Sequence, residues 1–204
     1  MKSNWIYNVA FGVLMLTLVS CSSDKKESQT GENDSQGMIQ GTPNSLSNNK
    51  GNVAGIQWSI PKGWDVGPEK PMRAATYMID AGDLQAECAV FFFGQGQGGD
   101  VQANIDRWIG QVKQPDGSDS KSKAKTIGFK TVCCQVSTIE VAGTYMMSSG
   151  PMMQSSEEKP GYVLIGAIAP APQGNVFFKL TGPQRTIDKW RQPYLDMLKS
   201  ISNQ

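Results

Sequence analysis

The chain has 204 residues, with 19 lysines and arginines against 18 aspartates and glutamates, and no histidine. The near-balance leaves no basic footprint for nucleic acid and none for an acidic polymer. The missing histidine excludes Ser–His and Cys–His nucleophile pairs, zinc sites built on imidazole and the metalloprotease helix motif.

Residues 1–21 read as an export signal. Lys2 and the α-amine give a short positive start, and Trp5 to Val19 is a mostly apolar run of fifteen residues. A membrane span needs about 20, so this run fits the apolar region of a secretory signal. It ends in Leu18-Val19-Ser20-Cys21, which resembles a bacterial lipobox. The resemblance implies cleavage before Cys21, acylation of its sulfur, and anchoring in the lipid bilayer through that residue. Multiple acyl chains on one residue anchor a protein stably, where a single chain is marginal. Ser22 after the cysteine implies sorting to the outer membrane, on its periplasmic side. Cleavage removes Lys2 and no acid, leaving 18 charges of each sign.

Residues 22–53 are rich in Ser, Asn, Gly, Gln and charge, with Met38, Ile39 and Leu46 the large apolar exceptions. Such composition cannot bury enough surface to offset its ordering entropy. It reads as a disordered tether, spanning on the order of 30 Å. Residues 54–204, about 150 residues, form one domain of ordinary size.

Within that domain, Ile56 to Ile60 alternates as a strand does, and Pro61-Lys62-Gly63-Trp64 ends it in a turn. Arg73 to Ile79 and Gln85 to Phe93 follow as a hairpin across Asp80–Asp83. Asp100 is placed to cap a helix over Val101–Val112, whose Val101, Ile105, Trp108, Ile109 and Val112 share one face. "KQPDGSDSKSKAK" reads as a polar loop; Lys121, Lys123, Lys125 and Lys130 around it read as solvated charges. Lys130 to Val141 alternates as a strand, extended by Tyr145 to Met147, and a turn region runs from Gly150 to about Lys159. "GYVLIGAIA" from Gly161 and "VFFKLT" from Val176 are neighbouring buried strands. A helix over Thr186–Ile201 closes the chain, with Pro193 bending it or starting it. Short turns between strands imply an antiparallel sheet. The expected fold is α+β: a single antiparallel sheet flanked by two helices.

Trp58-x-Ile60-Pro61-x-Gly63-Trp64 near the start, and "FFKLTGP" before a tryptophan-containing helix ending "MLKSI", look like the PsbP-like α/β/α sandwich over roughly Gly55 to Ser202. The chain also resembles uncharacterised bacterial lipoproteins with a "GQGQGG" loop and an "RW" helix. The resemblance implies a binding or assembly module of the cell envelope, no enzyme, and an envelope protein as partner; it carries no catalytic residue.

Gly94, Gly96 and Gly99 satisfy the dinucleotide fingerprint, with Asp116 and Asp119 about 20 residues on. That motif needs a parallel strand–helix–strand unit, and these strands read as antiparallel. No nucleotide and no cofactor is expected. Gly94, Gln95, Gly96, Gln97, Gly98 and Gly99 are instead a candidate recognition loop. Cys88 lies in an apolar strand and could pair with Cys133 or Cys134, or all three could be buried thiols. Met146, Met147, Met152 and Met153 flank a turn; as soft thioethers they offer copper(I) an all-sulfur site as the alternative function. Glu87, Glu140, Glu157 and Glu158 show no spacing that suggests acid–base work.

Overall fold

The structure is a computed structural model and describes residues 49–80, 82–148 and 156–204. The export signal with Cys21, the tether up to residue 48, and Met152 and Met153 lie outside the described residues. Among the described residues no helix is long and apolar enough to cross a membrane.

The fold is α+β, but it holds two sheets rather than one. The small sheet pairs β1 (Lys50–Val53), β2 (Ile56–Ser59) and β11 (Ser202–Asn203). Strand β1 corrects the reading of residues 50–53 as tether. Apart from the buried Val53 its residues are polar or small and show no alternation, yet Gly51 is needed there. A Cβ on Gly51 would sit 2.4 Å from the Trp58 indole.

The large sheet has eight strands. β3 (Trp64–Val66), β4 (Ala75–Ile79) and β5 (Ala86–Phe92) form one end. β10 (Gly174–Pro183) pairs with β5, then comes β9 (Ser156–Ala171), then β8 (Gln135–Ser148). β8 closes the far end by pairing with both β6 (Val112–Lys113) and β7 (Lys125–Lys130). Every pairing is antiparallel, as expected from the short turns.

Three boundaries move. The first helix, α1, spans Val101–Ile109, and Val112 belongs to β6 opposite Tyr145. The run from Lys130 is broken by a turn at Thr131–Cys134, which folds β7 back on β8. Its residues lack the Gly, Pro, Asn or Asp that usually mark a turn, so alternation alone reads straight through it. Glu157 to Lys159 continue β9 rather than a turn, pairing with Met147 to Tyr145. The polar loop also holds a one-turn helix, α2 (Ser120–Lys123), capped by Asp119.

Each face of the large sheet carries its own core. On one side Val163, Ile165, Ala167, Phe178, Leu180 and Cys88 pack against the small sheet and α3 (Gln184–Lys199). Helix α3 starts after Pro183 and runs through Pro193, so its proline is tolerated inside the helix. Tyr194 is fully buried, and its hydroxyl donates to the Phe178 carbonyl at 3.3 Å. On the other side Leu164, Ile168, Ile139 and Phe177 pack under α1 through Ile105, Trp108 and Ile109.

Candidate functional site

The alternation along β10 decides what lies on the α1 face. Phe178 and Leu180 point to the α3 side, so Phe177 and Lys179 point to the α1 side. Lys179 therefore enters the face that packs under α1. Its ammonium donates to Gln111 Oε1 at 2.6 Å and to the Tyr145 hydroxyl at 2.8 Å, and lies 5.0 Å over the Tyr145 ring. Both partners are neutral. Burial lowers the Lys179 pKa to about 8, and the charges of Arg73 and Arg107 push it the same way. Burial also raises the Tyr145 hydroxyl to about 12.

Helix α1 covers the β8–β9 side of this face. The β4–β5 side is lined by side chains from the loop before β4. Glu87 is paired with Lys70 and, at 2.8 Å, with Arg73. Burial pushes the Glu87 carboxyl up, but the Lys70 hydrogen bond and the Arg73 charge outweigh it and hold the carboxyl below its usual range. The Arg73 guanidinium lies 5.6 Å over the Phe91 ring. Arg107 reaches in from α1, donating to Asn104 Oδ1. Lys70 and Arg73 thus share one carboxylate, Glu87, while the charges of Arg73 and Arg107 are felt at Lys179. The Glu87 charge acts on Lys179 in the opposite sense to the arginines, but among the described residues no carboxylate forms an ion pair with the Lys179 ammonium.

The glycine loop adjoins this cluster through Asn104. That side chain is buried and donates to the carbonyls of Gly98 at 2.7 Å and Asp100 at 2.8 Å. The loop is a tight, packed turn. Gly98 has φ +88°, and a Cβ there would sit 2.8 Å from Phe177. Gly96 has φ +70° with open space around it, so a side chain there costs backbone strain rather than a clash. Gln95, Gly96 and Gln97 are exposed, so the tip is free to touch a partner. Asp100 accepts from the Ala103 N–H at 2.8 Å and occupies the helix N-terminus itself. Strand β5 pairs antiparallel with both β4 and β10, so the glycines do not open a parallel nucleotide-binding unit. Asp116 and Asp119 stay in the loop between β6 and α2, Asp119 as the α2 cap. Replacing Asp100 by alanine should lower unfolding free energy by about 1 kcal/mol, with asparagine restoring most of it; urea titration of the three proteins checks this.

The sulfur sites separate. Cys88, Cys133 and Cys134 are all free, which corrects the pairing of Cys88 with either of the others. Cys88 stands opposite Leu180, Leu180 opposite Ile165, and Ile165 opposite Glu140. Cys134 precedes Glu140 by six positions. With strands about 4.8 Å apart and a rise of about 3.3 Å per residue, the cysteines lie on the order of 20 Å apart, where a disulfide needs Cα atoms within about 7 Å. Met146 and Met147 are consecutive in β8 and face opposite ways, Met147 packing beside Tyr145 and Tyr162 in the α1-side core. They do not converge on one ion.

The carboxylates are likewise engaged. Glu140 is clasped by Arg191, whose Nε and Nη2 donate at 3.1 and 3.0 Å. Glu157 pairs with Lys159, and exposed Glu158 with Lys113 at 3.6 Å. Lys121 reaches Asp106 at 3.2 Å; Lys123, Lys125 and Lys130 are exposed. An open depression of about 410 Å³ is lined by Ile109, Val112, Lys113, Gln114 and Ser120.

No family model matches the chain, and no curated protein matches it. Among solved structures it is similar to the solution structure of cyanobacterial PsbP (CyanoP) from Synechocystis. The two share 9% identity and a TM-score of 0.47, over 76% of this chain and 91% of that one.

Proposed function

We propose that this chain is a lipid-anchored, non-enzymatic binding module of the bacterial cell envelope, and that it grips an anionic group of a protein partner beside Lys179. One observation carries the reading. The Lys179 ammonium is held inside a sheet face by two neutral oxygens, and among the described residues it has no carboxylate within ion-pair reach. A desolvated cation is costly until it is paired, so a partner carboxylate docking there gains more than it would at a rim lysine. Arg73 and Arg107 raise the same local potential, and the exposed loop tip at Gln95 to Gln97 extends the contact surface.

The remaining support comes from the sequence. The lipobox ending in Cys21 supports anchoring in the outer membrane, and the tether supports reach from it. The Trp58 and Trp64 signpost and the closing strand–helix pair support a PsbP-like sandwich. Glu87 and Glu140 are both occupied by cations, which supports binding rather than acid–base catalysis.

A photocrosslinking residue at Gln95 in intact cells tests the reading. The expected result is one dominant envelope protein, with a yield that falls at least about tenfold in Lys179→Met and falls again when Cys21→Ser removes the anchor. A crosslinker at Ile127, on the far edge, should not capture it. Equal yields from wild type and Lys179→Met would sink the proposal, as would the absence of any protein above background.

A further inference from the structure

The turn joining β7 to β8 is built from Thr131, Val132, Cys133 and Cys134. In an extended strand adjacent side chains face opposite ways. Here the chain bends, and the Cys133 and Cys134 sulfurs lie 3.3 Å apart. Thr131 clamps the bend. Its N–H donates to the Cys134 carbonyl at 2.8 Å, and its hydroxyl accepts from the Cys134 N–H at 3.2 Å. The hydroxyl also lies 3.5 Å from each sulfur. Both thiols are half-buried, and Val132 beside them is 88% exposed, so a reagent can reach the turn.

Two chemistries suit a thiol pair, and geometry separates them. A tetrahedral metal with bonds of about 2.3 Å holds its sulfurs about 3.8 Å apart and wants further ligands. Among the described residues no group of three Cys, His, Asp or Glu could hold a metal. A disulfide needs the sulfurs to close to about 2.05 Å, and they already stand inside the metal spacing.

We propose that Cys133 and Cys134 form a reversible vicinal dithiol–disulfide couple that exchanges with the disulfide of another molecule. One cysteine loses its proton to solvent and attacks a sulfur of the incoming disulfide. That S–S bond breaks, and the released thiolate takes up a proton. The second cysteine, deprotonated, then attacks the first cysteine's sulfur, closing the vicinal bond and expelling the other half as a second thiol. The turn loses two electrons and two protons; the incoming disulfide gains both. Cα atoms one trans peptide apart are about 3.8 Å from each other, below the usual disulfide range of about 4.4 Å and more. The closed ring is therefore strained, and strained disulfides are the readily reduced ones. Burial raises the Cys134 thiol, and the neighbouring Cys133 adds to it, so exchange should speed up as pH rises.

The full chain should be treated with oxidised glutathione, blocked with N-ethylmaleimide, and read peptide by peptide by mass. The doubly blocked peptide carrying Cys133 and Cys134 should fall more than about tenfold, replaced by a form two hydrogens lighter. Dithiothreitol without denaturant should restore it. Cys88 should remain a free thiol, blockable only after unfolding. Cys133→Ser should instead hold one lasting glutathione on Cys134. Undiminished double blocking, separate glutathiones on both cysteines, or a bond from either to Cys88 or to a second chain would overturn the proposal.

Discussion

Replacing Trp108 by alanine should lower the unfolding free energy by about 3–5 kcal/mol, the range for emptying a buried tryptophan site. Trp108 is 4% exposed and meets Phe177 edge-on, with ring centroids 6.4 Å apart. Beneath it lies Gly166 of β9, where a Cβ would sit 2.1 Å from the indole. The glycine makes the seat and the tryptophan fills it. Gly166→Ala alone should therefore cost about 1–3 kcal/mol as overpacking. With Trp108 already alanine, the same methyl meets no indole, and its cost should largely vanish. Urea unfolding of wild type, the two single variants and the double variant measures this coupling, expected on the order of 2 kcal/mol. Strictly additive costs would mean that α1 is not seated on Gly166. Because Arg107 and Gln111 lie on or just beyond the same helix, loosening α1 should also weaken partner capture at Lys179.

The parts of the fold that were legible in the sequence are those where one residue pattern had one physical outcome. The α1 stripe through Ile105, Trp108 and Ile109 is buried as its spacing requires, and Asp100 caps it. The hairpin of β4 and β5 and the paired β9 and β10 follow from alternation and turn chemistry. Of the missed elements, β1 and β11 carry no hydrophobic alternation, and the turn at Thr131–Cys134 carries none of the usual turn residues. β1 is kept by the Trp58 indole and by pairing with β2, and β11 by β2, from the opposite end of the chain. The turn at Thr131–Cys134 is made by a threonine hydroxyl, not by glycine or proline. Lys179 was visible as the charged residue in "VFFKLT". Its meaning depended on which face of β10 lay under α1, and only the register supplies that. The glycine loop announced itself by motif, yet its glycines serve turns and the close approach to Phe177.

Lys179→Met should leave the protein more stable near neutral pH and change how its stability responds to alkali. The Lys179 pKa is lowered to about 8 in the folded chain, while an unfolded lysine titrates near 10.4. Below about pH 8 the ammonium is charged in both states, and the native state carries the whole desolvation cost. Between about 8 and 10.4 the native state sheds the proton that the unfolded chain keeps. Unfolding then binds protons, so this group's contribution to stability rises with pH. Removing the amine should flatten that rise, and the difference corresponds to roughly 3 kcal/mol across the window. Cys88 acts in the opposite sense, because burial pushes its thiol well up; the unfolded chain loses that proton first, and stability falls through the same range. The raw wild-type curve therefore mixes the two. The difference between wild type and Lys179→Met cancels Cys88 and isolates the amine. Urea titrations at steps from pH 7 to 10 should show the variant ahead at pH 7 and the gap closing by about pH 10. A gap that stays constant with pH would mean that Lys179 keeps an ordinary lysine pKa, and the buried-cation basis for partner recognition would fall with it.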